Sequence, residues 1–253
     1  RMPRGSAPPS GTLLGFYRQR VDREENLLYQ AALLDAPDLW LWSMLFAPAT
    51  KSFDFQVDHL APVAASAQLT LWLQGASDWS ADPDHHVRVR VNGSFVGETR
   101  WNGKAPRTLE LDLLPGVLVE GDNLLEVENV GDTAASSSMV FLNRFSVDYP
   151  RLTLAEGGRL EGGFTASGTA DVAGLTSQAL VLRLEPTGPV WLTGAQDTAA
   201  GMQFAVEAGK DYLAVAPEAV LPVQEVRRPS RAVLKTSRNA ADCLVIGPRD
   251  FLD

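Results

Sequence analysis

A period of two limits this chain more than any other feature. From His85 to Gly103 it reads HHVRVRVNGSFVGETRWNG. Val87, Val89 and Val91 alternate with Arg88 and Arg90, which predicts a strand with one face in a core and the other in water. Asn92-Gly93 follows, and both residues tolerate the positive φ that a two-residue hairpin turn demands. The chain returns from Phe95 to Thr99, and Asn102-Gly103 predicts the next turn.

The same period recurs on both sides of this hairpin. Leu13 to Val21 reads as a first strand that ends in the charged turn DREEN. LLYQAALL, residues 27–34, fits a strand or a short helix equally well. In PDLWLWSMLFAP, Trp40 and Trp42 fall on one side of an extended segment and are expected to plug one end of a core. Phe53, Phe55 and Val57 share a face, as do Ala67, Leu69, Leu71 and Leu73. Leu109, Leu111 and Leu113 alternate with Glu110 and Asp112. Leu125 and Val127 are set against Glu126 and Glu128, and Phe145, Val147 and Tyr149 close the series. About eight or nine strands over roughly 140 residues, without a long helix, predict an all-β jelly-roll sandwich.

The expected organisation follows from shifts in this pattern. Residues 1–11 are rich in Pro, Gly and Ser and are expected to be loose. Residues 12–150 form the jelly roll, and Pro150-Arg151 marks its boundary. Residues 151–222 carry shorter strands, richer in Gly, Ala and Thr, and read as a smaller Ig-like β-sandwich. Residues 223–240 are a basic linker. Within it RRPSR, Arg227 to Arg231, reads as solvated chain in preference to a processing site. Residues 241–253 open with a continuous apolar run, Cys243 to Ile246, followed by Gly-Pro. Buried parallel strands of α/β domains begin this way. Little chain follows to bury it, so it reads as the first strand of a truncated domain.

Composition excludes some functions. Net charge is −9 and the isoelectric point is near 4.9, which argues against nucleic acid and against anionic membrane as partners. The 21 glycines and 16 prolines are scattered, as in a turn-rich β protein. With a single cysteine, Cys243, no intrachain disulfide can form. No apolar run approaches the ~18 residues of a membrane helix. The opening Arg-Met-Pro-Arg-Gly-Ser is not a signal peptide and reads as the start of a piece of something longer.

Two resemblances add to this reading. VRVNGSFVGE and GDNLLEVEN match a hairpin and a later strand of the jelly-roll sugar-binding domains attached to glycosidases. The succession FLNRFSVDYPR, LVLRLEPTGPVWLTG, DYLAVAP and ADCLVIGPRDFLD resembles the region upstream of the catalytic domain in gingipain-like cysteine peptidases. That resemblance implies the non-catalytic N-terminal β part of an exported peptidase, whose principal partner is the catalytic domain of the same polypeptide. It also implies a cysteine and a histidine at later strand ends. Here Cys243 lies in what would be a buried first strand and no histidine follows His86, so no catalytic residue carries over.

The remaining candidates each have a plain alternative. His85 and His86 are adjacent on a strand and point to opposite faces, so they cannot both serve one metal, and His59 is isolated. They read as surface or strand-end histidines. Asp78, Asp82 and Asp84, in SDWSADPDHH, could supply oxygens to calcium, although aspartate beside Pro83 is also an ordinary turn-former. No other cofactor is implied. Trp79 and Trp101 lie in or beside turns, where an indole can stack on sugar or cap a core. Arg88 and Arg90 opposite Glu98 and Arg100 suggest charge pairs on a solvated face. Acids that alternate along a strand, such as Glu126 and Glu128, read as solvated, and a carboxylate pair for glycoside hydrolysis stays open. Three functions are therefore expected, in this order. The first is an accessory β-region of a gingipain-like cysteine peptidase. The second is a carbohydrate-binding module of a secreted hydrolase, and the third a hydrolase with an unrecognised carboxylate pair.

Overall fold

A computed structural model describes residues 2–31, 36, 38–223 and 225–226. Its strands, in chain order, begin with β1 (Arg4–Ser6), β2 (Leu13–Leu14), β3 (Phe16–Glu24), β4 (Leu28–Tyr29), β5 (Trp40–Leu41), β6 (Ser43–Phe46) and β7 (Ala49–Val57). There follow β8 (Ala67–Gly75), β9 (His85–Val91), β10 (Ser94–Trp101), β11 (Pro106–Leu113), β12 (Gly121–Asn129) and β13 (Met139–Leu152). The last are β14 (Arg159–Phe164), β15 (Gly168–Ala173), β16 (Leu180–Leu184), β17 (Val190–Thr193), β18 (Gln196–Asp197), β19 (Gly201–Val206) and β20 (Lys210–Val215). A 3-10 turn, Pro217–Ala219, is the one helical element among the described residues. None of them forms a helix long and apolar enough to cross a membrane.

Alternation sorts these strands into layers. A ten-stranded sheet runs β1-β17-β16-β20-β14-β3-β13-β8-β11, with β6 also paired to β13. Two four-stranded sheets, β10-β9-β12-β7 and β18-β19-β15-β2, complete two sandwiches, and β4-β5 is a separate hairpin. In the first core Val87, Val89 and Val91 of β9 and Leu125 and Val127 of β12 meet Leu69 and Leu71 of β8 and Phe145 and Val147 of β13. In the second, Val172, Met202 and Phe204 meet Leu160, Phe164, Val181 and Tyr212. Tyr17 and Val21 stand on one side of β3, yet Tyr17 belongs to the second core and Val21 packs on the first. Both smaller sheets therefore cover the same face of the large one. The hairpin at Asn92-Gly93 forms as predicted, with φ of 50° and 75°, and Ser94 pairs with Val91.

Several expectations are revised. Pro150-Arg151 lies inside β13, which continues to Leu152 opposite Phe16. The Pro150 carbonyl accepts the Ala61 N–H at 2.9 Å, so its missing N–H faces away from β3 and leaves that ladder intact. Within the expected loose segment 1–11, the described residues are held. Beyond β1, which is parallel to β17, Ala7 donates to the Thr193 carbonyl and accepts from Ala205, and Ser10 bonds Thr169 both ways. β3 runs through the expected DREEN turn to Glu24 because β13 supplies a partner that far. The two tryptophans part company where the chain changes partners between β5 and β6. Trp42 stacks on Phe145, whereas Trp40 is exposed against Tyr29.

Contacts group Arg1–Val220 into one compact unit and Leu221–Asp253 into another. Cys243, Arg227 to Arg231 and the segment 241–253 lie outside the described residues.

Phe145 anchors the first core. It is fully buried, and its ring lies 5.8 Å from Trp42, 5.7 Å from Phe55 and 6.4 Å from Phe53. Phe145→Ala is expected to lower urea-unfolding stability by about 3–5 kcal/mol. Phe95→Ala, at a residue 53% exposed, should stay within about 0.5 kcal/mol.

Candidate functional site

The chemically richest place is one end of the first sandwich, where the loop before β9, the turn after β10 and the loop before β13 converge. Asp84 is its centre and is fully buried. One carboxylate oxygen accepts the Trp79 N–H at 3.0 Å. The other accepts the Gly103 N–H at 3.0 Å and lies 3.5 Å from His85 Nε2. Asn102 ties the rim, donating to Asp82 at 2.9 Å and accepting from the Asp84 N–H at 3.0 Å. Asp78 lies beside the Gly103 turn.

This geometry commits the acids to the loops. Calcium requires about six to eight oxygens around one point. Among the described residues no three carboxylate, histidine or cysteine groups are placed to hold a metal. Asp84 gives both oxygens to backbone donors, and among the described residues Asp78, Asp82 and Asp84 do not form a group of three around one point.

His85 is fully buried and bridges two loops. Its Nδ1 is 2.8 Å from Ser138 Oγ, and its Nε2 is 3.2 Å from the Ser77 carbonyl and 3.1 Å from that of Gly103. Two carbonyl acceptors at Nε2 assign the ring proton there. Ser138 Oγ has one proton for two acceptors, His85 Nδ1 and Asn129 Oδ1 at 3.2 Å, and the Asn129 amide donates to the carbonyls of Leu45 and Ser138. Serine, histidine and aspartate thus meet, as sequence reading did not foresee, because Ser138 is 53 residues from His85. All three are closed off from solvent, so no substrate reaches the hydroxyl, and the group acts as a clasp.

Trp101 packs its ring 4.8 Å from the His85 ring and is 9% exposed. The core has taken it, and it offers no face for a sugar. Trp79 is 44% exposed and keeps one.

His86 leaves β9 on the opposite face, as alternation requires, but it too is buried rather than superficial. Its Nδ1 lies 2.6 Å from Asp132 and its Nε2 3.2 Å from Glu98. Arg100 reaches Asp132 at 3.4 Å, and Arg88 spans Glu98 at 3.6 Å and Glu128 at 3.3 Å. The predicted cross-strand pair Arg88–Glu98 is therefore present and in register. Hydrogen bonding to His86 holds both Glu98 and Asp132 below their ordinary carboxylate values. His59 stands apart, in a turn with φ of 55°. Its N–H and that of Leu60 are both held by Glu120, at 2.8 and 2.7 Å.

No known family profile matches this sequence, and no curated protein matches it. Among solved structures, dimeric latent PorU from Porphyromonas gingivalis matches with a TM-score of 0.66 and 10% identity. The match covers 85% of this chain but 22% of that one. The CBM36-1 domain of a multidomain xylanase from the hindgut metagenome of Trinervitermes trinervoides gives 0.35 at 10% identity, over 51% of this chain and 96% of its own. A carbohydrate-binding module CBM36 in complex with calcium and xylotriose gives 0.34 at 16% identity, over 51% and 98%. Identities this low speak of fold alone, and the two module scores are too low to carry more.

Two outcomes follow from the site. Adding calcium or a chelator should leave the melting temperature unchanged in a thermal scan. In His86→Gln, carboxylate titration by NMR should show Glu98 and Asp132 moving up toward their ordinary values of 4.5 and 3.8. Both acids are lowered in the folded state. Their contribution to stability is therefore complete above those ordinary values and is lost as pH falls through the lowered ones.

Proposed function

We propose that this chain is the non-catalytic β-region of a larger, exported gingipain-like cysteine peptidase. There it supports and positions a catalytic domain carried by the same polypeptide. The observation that carries the reading is the two-core fold, which matches PorU over 85% of this chain while spanning 22% of that protein's length. The order of motifs from FLNRFSVDYPR to ADCLVIGPRDFLD supports it independently. In this reading residues 223–240 lead to the peptidase domain, and 241–253 begin its first strand.

The site chemistry agrees with a supporting role. Among the described residues, the place where serine, histidine and aspartate meet is sealed. The sugar-stacking pair expected at Trp79 and Trp101 has lost Trp101 to the core.

Incubating the purified chain with protein substrates and chromogenic glycosides should give no turnover of either kind. Turnover that disappears on changing a single side chain, Ser138→Ala for instance, would overturn the reading.

A further inference from the structure

The open face of the large sheet changes character along its width. Over the first core it is polar, as in the row Glu110–Thr70–Ser146–Asp22 across four paired strands. Over the second core it is apolar. Val181, Leu192, Tyr212 and Ala214 point into that core. Alternation sends their strand neighbours to the other side. Register then aligns those neighbours: Trp191 pairs with Leu182, Leu182 with Leu213, and Leu180 with Val215. With Leu184 they form a stripe across β17, β16 and β20, and none of these side chains belongs to a core cluster. Trp191 is 38% exposed, Leu182 at the centre is 8% exposed, and the others are half-buried.

We propose that this stripe docks a short amphipathic helix of a protein partner, apolar on one side and carrying lysine or arginine at one end. Contiguous apolar surface of this kind marks an interaction site, and an apolar sheet face is covered by a helix or a second sheet. Leu180 to Leu184 span roughly 13 Å of strand, which two to three helical turns match. At one end Leu184 also lines a cleft of about 510 Å³ at the joint between the cores. Asp22, Asp148, Glu161 and Asp211 face Arg18 and Arg20 there. Arg18 takes Asp148, Arg20 takes Asp22 at 2.9 Å, and Arg159 takes Glu161. Asp211 is left exposed, with no hydrogen bond or ion pair among the described residues. It pairs with Leu184 in the ladder, so the free carboxylate adjoins the apolar stripe.

Charge and shape select the partner. A cation on the partner, placed beside Leu184, meets the free Asp211, whereas an acidic segment meets a cleft in which carboxylates outnumber guanidiniums. The same carboxylates, with the net charge of −9, oppose anionic lipid. A stripe spread over three strands suits a helix better than a small molecule, which needs a concave pocket. The Arg4 guanidinium lies over the Trp191 ring at 5.1 Å and closes the far edge, so the aliphatic side chains and not the indole carry the contact. None of these residues enters the peptidase-accessory reading.

Fluorescence anisotropy of a short labelled Leu/Lys amphipathic helix, titrated with the full chain, tests this, with the matching Leu/Glu helix as control. Saturable binding of the Leu/Lys helix alone is expected. Leu213→Ser should weaken it by about tenfold and Asp211→Asn by about threefold. Glu110→Gln removes the same charge from the polar half of the face and should leave binding unchanged. Asp211 is exposed, so its variant keeps the test decisive if Leu213→Ser unfolds, which melting curves will report. No saturable binding, equal binding of the Leu/Glu helix, equal losses with Glu110→Gln and Asp211→Asn, or no loss with either stripe variant would each overturn the proposal. So would a dimer of this chain in sedimentation that Leu213→Ser dissociates, or binding to neutral phosphatidylcholine vesicles that Leu213→Ser abolishes. Any of those results would leave the peptidase-accessory reading standing.

Discussion

The ladder between β3 and β13 is the constraint on which the rest of the molecule depends. Nine register pairs, from Arg144 opposite Glu24 to Leu152 opposite Phe16, carry the large sheet from one core to the other. One side of β3 must feed Val21 to the first core and Tyr17 to the second. The next strand, β14, touches β3 through a single ladder pair, Gly163 with Arg18. Space there is the limiting quantity. A Cβ on Gly162 would collide with the Arg18 carbonyl and the Tyr17 ring, and one on Gly163 with the Asp211 carboxylate. Glycine is required at Gly162, where the close neighbour is backbone. On the other side of β3, Arg18 ties that strand to β13, pairing with the Asp148 carboxylate, donating to its carbonyl at 2.8 Å and to that of Ser66 at 2.7 Å. Burial pushes Tyr17 up to about 12, which keeps its hydroxyl protonated and donating to Gln19 at 3.0 Å.

Strands were legible in the sequence because alternation is local, and the joint was not because its causes are remote. Val87, Val89 and Val91 announce their own faces. Nothing near Pro150 announces that its carbonyl will meet Ala61, so a proline that sits harmlessly on the free side of a ladder looked like the end of a domain. The N-terminal segment failed in the same way. Its Pro/Gly/Ser composition offers no side-chain pattern, and what orders it is backbone pairing with Thr193, Ala205 and Thr169, far along the chain. Loss of chain entropy on such long-range closure must be met by contacts that a local window cannot see.

The candidate site divides along the same line. Alternation correctly sends His85 and His86 to opposite faces, but it does not say what waits there. Ser138 and Asn129 wait for His85, and Asp132 and Glu98 for His86, so both rings are buried with partners. Backbone and histidine partners take up much of the cluster of Asp, Asn and Ser in the loops, while Trp101 Nε1 beside them is buried without a hydrogen-bond partner. The acids of SDWSADPDHH looked like ion ligands because carboxylates that hold backbone N–H groups and carboxylates that hold cations are the same residues in sequence. Only the direction of the donors separates them.

Placing both cores on one face of the large sheet also decides where function can lie. Side chains on the covered face are committed to packing, and the loop ends of the first sandwich are committed to clasps. The open face, its overhanging hairpin and the strand edges remain available for recognition. The β3–β13 ladder makes the two sandwiches share strands in place of a flexible linker. Trp72 and Arg144 stand on the opposite side of β8 and β13 from Leu71 and Phe145. The same alternation that builds the cores therefore sets these side chains apart from them.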